Sequence, residues 1–275
     1  MNLIKEQSCV TFNLINDYKL CKLSFMIKKI FENSLNKPNI LINVNSNFLP
    51  LAFYLKEYAN VKAVKNALQG IFSFITHYGK FDLGIFCEKQ NDLFVVKFYS
   101  GSGYVLSPTV FSILENECSK DFTYILPKNK TLKVADFFNL KTNAFCSKWI
   151  NKYCSFYKNI LLIKQTDFKV ISKNELEQKL LDLILNKNSK ENCNLKLLPN
   201  NNEIVIYKND KIVNFNSILK QNCKKIASYN EYQMFKCALE TNQNVIECDN
   251  KIFVAKNTFT FENISFAIYI LNNLL

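Results

Sequence analysis

Cys87, Glu88 and Lys89 place a thiol, a carboxylate and an ammonium in consecutive positions. The chemistry open to such a run is nucleophilic attack by sulfur, which needs a thiolate held by a nearby cation or base. Lys89 is the one neighbour that marks this thiol. A Ser-His or Cys-His pair would have to rest on His77, the single histidine of the chain. His77 follows an apolar helical stretch and precedes Tyr78, so it reads as a packed boundary residue rather than a catalytic base. The ten cysteines are scattered, and the closest two, Cys146 and Cys154, are too far apart for a CxxC pattern. With one histidine and no such pair, a zinc site of the common Cys/His types is not expected. The cysteines read as reduced, mostly buried thiols of a cytoplasmic protein.

The elements that must position these groups follow from periodicity. Leu20, Leu23, Met26, Ile27, Ile30 and Phe31 recur at three- and four-residue steps, which predicts a helix over 18–32 with one face on a sheet. Residues 39–44 read as a buried strand after the Lys37-Pro38 break, 50–58 as a helix, 61–64 as a strand and 70–78 as a helix. Strands follow at 83–86 and 93–99. Ser107-Pro108 is a helix start, since the hydroxyl can accept from an orphan backbone N–H and proline presets φ at the first helical position. A lysine-rich, weakly patterned stretch to about 139 is the best candidate for a linker. Ser172 and Glu175 form a capping box ahead of Leu176, Leu180, Leu183 and Ile184. Residues 204–207 and 212–213 read as a hairpin, and 262–274 as a final helix. Strands alternating with helices imply an α/β layer architecture.

At 275 residues the chain can bury one large core or several small ones. Apolar residues at 48% and charged residues at 21% are ordinary globular usage, and no apolar run approaches the length that spans a bilayer, so no membrane role is expected. The first twenty residues lack the basic stretch, apolar core and cleavage site of an export signal. A net charge of +12 would suit an anionic partner, but the lysines are spread along the chain. They concentrate only at Lys128, Lys130, Lys133 and at Lys220, Lys224, Lys225. No aromatic RNA-binding signature or helix-turn-helix turn accompanies them, so nucleic acid is not the expected partner.

Several chain segments carry a resemblance. The segment 81–86, FDLGIF, is followed by VVKFY at 95–99 and by GYVLS at 103–107. In order and spacing this is similar to the α-D-phosphohexomutases (phosphoglucomutases, phosphomannomutases and phosphoglucosamine mutases), which read D-x-G-I-x-I-T-A-S-H-N-P, then N-G-I-K-F-F, then G-x-x-L into a helix. Upstream, ILINVNSN at 40–47 with Pro50-Leu51-Ala52 resembles I-L-I-G-x-D-T-R-x-S-S-P-x-L-A. Downstream, NEIVIY at 202–207 with IVNFN at 212–216 resembles the metal loop D-G-D-G-D-R and its hairpin. IECDNKI at 246–252 stands where the sugar-specificity loop G-G-E-x-S-G-H-I would be, and Glu262-Asn263-Ile264 leads into a helix as D-G-I does.

The resemblance implies consecutive α/β/α layer domains with mixed sheets: domain I over 1–122, a reduced domain II over 123–222 and a reduced domain III over 223–275, with the fourth, C-terminal domain lacking. It also implies where the chemistry has gone. The family's phosphoserine loop is represented by Cys87, Glu88 and Lys89, about three residues shorter and without Ser or Thr. The metal loop is represented by Asn200, Asn201 and Asn202, amides where Mg²⁺ wants anionic oxygens. Phosphoryl transfer needs both parts. Lys97, Glu247 and Lys251 remain as candidate ligand-binding positions. The expectation is a non-catalytic protein without cofactor or metal, acting through a protein partner, self-association or a phosphorylated ligand. Two alternatives stand beside it: a mutase-type enzyme with an altered site using Cys87, Glu88 or Glu247, and a basic protein binding an anionic polymer.

Overall fold

In the computed structural model the described residues are 1–4, 8–128, 130–139, 143–161, 169–172, 174–185, 193–197, 204–208, 211–213, 224–225, 236, 245–248, 251–254 and 263–273. They pack as two compact units, one over Met1–Cys146 and one beginning at Ser147.

The first unit is built on a seven-stranded sheet. Its strands are β1 (Asn2–Ile4), β2 (Cys9–Phe12), β3 (Asn39–Asn43), β4 (Asn60–Lys65), β5 (Leu83–Gln90), β6 (Leu93–Ser100) and β7 (Val134–Asp136). Their order is β1-β2-β6-β5-β3-β4-β7. The segment β5-β3-β4-β7 is parallel and β1-β2-β6-β5 antiparallel, so the sheet is mixed. The four segments expected as strands between 39 and 99 all lie in it. β7 was not expected: it sits inside the lysine-rich stretch read as a linker and pairs with β4.

Helices α1 (Asp17–Ile30), α2 (Leu49–Lys56), α3 (Gln69–Tyr78) and α4 (Pro108–Cys118) connect the strands. α1 starts where Asn16 Oδ1 accepts from Lys19 N at 2.9 Å, and α4 where Ser107 Oγ accepts from Val110 N at 3.3 Å. One face of the sheet carries Val10, Phe12, Ile40, Ile42, Ile85, Cys87, Val96 and Phe98 into a core shared with α1, α2 and α4. The other face receives α3, whose Phe72 meets Phe86 and Tyr99 with ring centroids 5.2 and 5.9 Å apart. That approach is close at Gly84, where a Cβ would stand 2.6 Å from Thr76 Oγ1 and 3.0 Å from the Phe72 ring.

The second unit holds α5 (Ala144–Ile160, which begins in the first unit), β8 (Lys169–Ser172), α6 (Glu175–Leu185), β9 (Cys193–Leu197), β10 (Ile204–Lys208) and β11 (Lys211–Val213). Then come β12 (Lys224–Lys225), β13 (Val245–Cys248), β14 (Lys251–Val254) and α7 (Asn263–Asn273). Sheets of order β11-β10-β9-β8 and β12-β13-β14 result. The hairpin β10–β11 forms as expected, with each strand one residue longer than the sequence reading, so that Lys208 and Lys211 pair, and α7 buries Ile264, Ala267, Ile268 and Leu271. The cap of α6 differs from expectation: Asn174 Oδ1, not Ser172, accepts from Glu177 N at 3.0 Å. Ser172 is the last residue of β8, and its N–H donates to Gln178 Oε1 at 2.7 Å. The helix therefore starts two residues later than a box on Ser172 would put it.

Candidate functional site

The parallel strands of an α/β sheet present their ligand sites at their C-terminal ends. In the first unit that end is formed by Asn43, by the loop 66–68 leading into α3, and by the far half of the β5–β6 ribbon. Asn43 ties it together: its Nδ2 donates to the Cys87 carbonyl at 3.2 Å, and its Oδ1 accepts from Ala67 N at 3.3 Å.

The run Cys87-Glu88-Lys89 is not a loop, which corrects the expectation. β5 continues through all three residues and pairs with β6 as Cys87↔Val96, Glu88↔Val95, Lys89↔Phe94 and Gln90↔Leu93. Only Asn91 and Asp92 remain for the turn, and Asn91 takes the left-handed conformation at φ 53° that a two-residue hairpin requires and asparagine tolerates. The resemblance implied a loop here, and the residues do not argue against one, because a hairpin tip that leaves the core is as polar as a loop; the pairing with the returning strand decides between them.

Alternation along a strand then sorts the candidates. Cys87 points into the apolar core with Ile85, Val96 and Phe98, 2% exposed. Burial there pushes its thiol well above the ordinary range, and the nearby Glu88 charge adds to the rise. Lys89 lies at the tip, its Nζ 5.8 Å from the Phe94 ring centroid. Glu88 falls on the opposite face, the α3 face, and so does Lys97.

On that face Lys97 Nζ lies 3.3 Å from Glu88 Oε1 and donates to Gln69 Oε1 at 3.4 Å. Gln69 Nε2 in turn donates to the Tyr99 hydroxyl, and Gln90 Nε2 donates to Glu88 Oε1 at 2.5 Å. Gln69 is the first residue of α3, so this chain of contacts joins the hairpin to the helix start. A cysteine does border the pair, but it is Cys9, which stands directly opposite Lys97 in the β2–β6 register. Its thiol is pushed up to about 11 by burial, against the opposing pull of Lys97 and with a further push from Glu88. Sequence reasoning missed it because the contact joins two distant stretches of chain and no local pattern marks β2.

The remaining candidates belong elsewhere. Glu247 lies on β13 and Lys251 opens β14, the two strands closing on Cys248↔Lys251, so this segment too is a hairpin. Asn200, Asn201 and Asn202, and with them the expected cleft partner of the hairpin, lie outside the described residues. His77 is half-buried at the end of α3, its Nδ1 3.4 Å from the Gly101 carbonyl oxygen and its ring against Tyr78. Among the described residues no three His, Cys, Asp or Glu side chains are grouped to hold a metal, and no helix is long and apolar enough to cross a membrane. What the arrangement offers chemically is one carboxylate neutralised by one ammonium, beside one thiol, Cys9, whose ionisation burial pushes up. Neither a nucleophile nor a hard-cation cage follows from it.

No protein-family model and no curated protein matches the chain. Solved structures do. A phosphomannomutase from Thermus thermophilus aligns over 93% of this chain and 75% of its own, with 8% identity and a TM-score of 0.61. A phosphoglucomutase/phosphomannomutase family protein from Burkholderia thailandensis aligns over 98% and 76%, with 9% identity and a TM-score of 0.61. The open form of parafusin, a phosphoglucomutase from Paramecium, aligns over 99% and 70%, with 10% identity and a TM-score of 0.62. At such identities the likeness establishes the fold: mixed α/β, of the phosphohexomutase kind.

Proposed function

We propose that this is a degenerate phosphohexomutase-like protein that has lost the mutase reaction and acts by binding a protein partner. The observation that carries the reading is the hairpin. Phosphoryl transfer by this family runs through a serine on an open loop, and here β5 and β6 stay paired to Gln90↔Leu93, leaving two turn residues, neither with a hydroxyl. The sulfur that could substitute faces the core. Lys97, the candidate ligand-binding lysine of this unit, is already engaged by Glu88 and Gln69.

A surface in the same unit supports the binding role. Tyr18 on α1 packs against Phe122 and Tyr124, with ring centroids 4.9 and 6.2 Å apart. The Tyr124 hydroxyl meets that of Tyr54 at 3.3 Å. These contacts fix an extended segment across α1 and α2 that leaves Tyr18, Tyr124, Ile125 and Leu126 exposed, with Leu14 exposed nearby in sequence. Contiguous exposed apolar side chains on a folded protein mark interaction surfaces.

A coupled assay for interconversion of hexose 1-phosphate and hexose 6-phosphate with Mg²⁺ tests the loss of catalysis. The expected rate equals that of the protein-free control. Turnover by the wild type that disappears in Glu88→Ala would establish an altered enzyme instead.

A further inference from the structure

At the other end of the same sheet, beside the N-terminal ends of β3 and β4, lies a cavity of about 350 Å³. It is framed by the last turn of α1, the connection that follows it up to Pro38, and Tyr58 after α2. It shares no residue with the hairpin or with the Glu88–Lys97 pair. Its volume is at the lower end of the range for small-molecule pockets, about 300–1,000 Å³, which suits one ring system with a charged substituent rather than a polymer.

The walls divide into two chemistries. Phe25, Phe31 and Tyr58 supply aromatic surface. The Tyr58 hydroxyl is committed to the Ser24 carbonyl oxygen at 2.9 Å, so that residue offers the cavity its ring rather than a polar group. Lys28, Lys29 and Lys37 supply ammonium groups against a single carboxylate, Glu32. Lys29 is committed to Glu32 at 2.6 Å and holds its carboxyl below the ordinary range, first through that hydrogen bond. Lys28 and Lys37 make no ion pair or hydrogen bond among the described residues. Lys28 also lies in the last turn of α1, where a cation complements the helix dipole. That explains Lys28 and Lys29 but not Lys37, which is beyond the helix and lines the same cavity.

We propose that this cavity binds a small anion bearing a flat apolar ring, of the class of a nucleoside monophosphate, with the ring against Phe25, Phe31 and Tyr58 and the phosphate between Lys28 and Lys37. Burial of an aromatic ring against aromatic walls supplies affinity, and the two ammonium groups that no ion pair or hydrogen bond holds among the described residues supply the charge selection as point charges rather than a rigid fork. The inference is independent of whether the mutase reaction has been lost, since it uses none of the residues of the hairpin end.

The test is equilibrium dialysis or calorimetry on the full chain with AMP, adenosine and inorganic phosphate as separate probes. AMP is expected to bind saturably with one equivalent, at least about tenfold more tightly than either adenosine or phosphate alone. The double variant Lys28→Gln/Lys37→Gln is expected to lose at least about tenfold in AMP affinity, with an unchanged circular dichroism spectrum because both side chains are exposed. No AMP binding, phosphate binding as tightly as AMP, or full affinity retained in the double variant would each overturn the proposal.

Discussion

Glu88 and Lys97 meet at 3.3 Å across the β5–β6 ribbon, on the face of the sheet that Cys87 turns its back on. The carboxylate nearest in sequence to the thiol is therefore separated from it by the sheet itself. That geometry removes the simplest route to a substitute nucleophile.

The Cys87 thiol is expected to be inert in the folded protein. It is buried and its ionisation is pushed well up by that burial. Alkylation by iodoacetamide at neutral pH followed by peptide mass mapping should modify the half-buried Cys118 before Cys87, with Cys87 reacting only when denaturant is added. Early labelling of Cys87 would show a thiolate the geometry does not provide.

The Glu88–Lys97 pair is expected to contribute little to stability. Its side chains are 28% and 20% exposed, so solvent screens the attraction, and Glu88→Gln should cost under about 1 kcal/mol in urea unfolding. A larger loss would mean that the pair acts as a buried, fully desolvated unit.

Gly84→Ala should be far more costly. The new methyl would meet Thr76 Oγ1 and the Phe72 ring inside normal contact distance, and both belong to α3, which cannot retreat without uncovering Phe86 and Tyr99. Overpacking of this kind typically costs about 1–3 kcal/mol, read from the same urea titrations.

The pH dependence of the first unit should carry a contribution from Asp136. Burial, the largest single influence, would raise its pKa, but hydrogen bonds from Asn66 and the Phe138 N–H, together with Lys65, outweigh it and leave the pKa lowered from 3.8. A depressed carboxylate stabilises the fold fully above its unfolded pKa and loses that contribution as pH falls through the folded value. The stability difference between wild type and Asp136→Asn should therefore stay level from about pH 7 to 5 and shrink below about pH 4. A difference that grew on acidification would have the wrong sign.

How much of this was legible in the sequence depends on where each element's partners lie. α1, β3, α2, β4, α3 and α4 follow from apolar spacing and from Ser107-Pro108, because their cores are written in local periodicity. β2 is different: Cys9, Val10, Thr11 and Phe12 are all buried, so no alternation marks the strand, and its partner β6 lies far along the chain. The tip of β5 reads as a loop for the opposite reason, since Glu88, Lys89 and Gln90 leave the core while remaining paired. Cys87 was legible as a thiol in the right stretch but not as one facing inward, because facing is set by register and register by pairing. The cavity at Lys28 and Lys37 had no signature at all: its residues come from a helix end, a connection and Tyr58, and only folding gathers them.

The most direct test of the central claim asks whether the protein can carry a phosphoryl group. After incubation with glucose 1,6-bisphosphate and Mg²⁺, intact-protein mass spectrometry should show the unmodified mass alone. A stoichiometric gain of one phosphoryl group, mapping to the hairpin 87–92 and lost on dilution into hexose 6-phosphate, would contradict the loss of the mutase reaction.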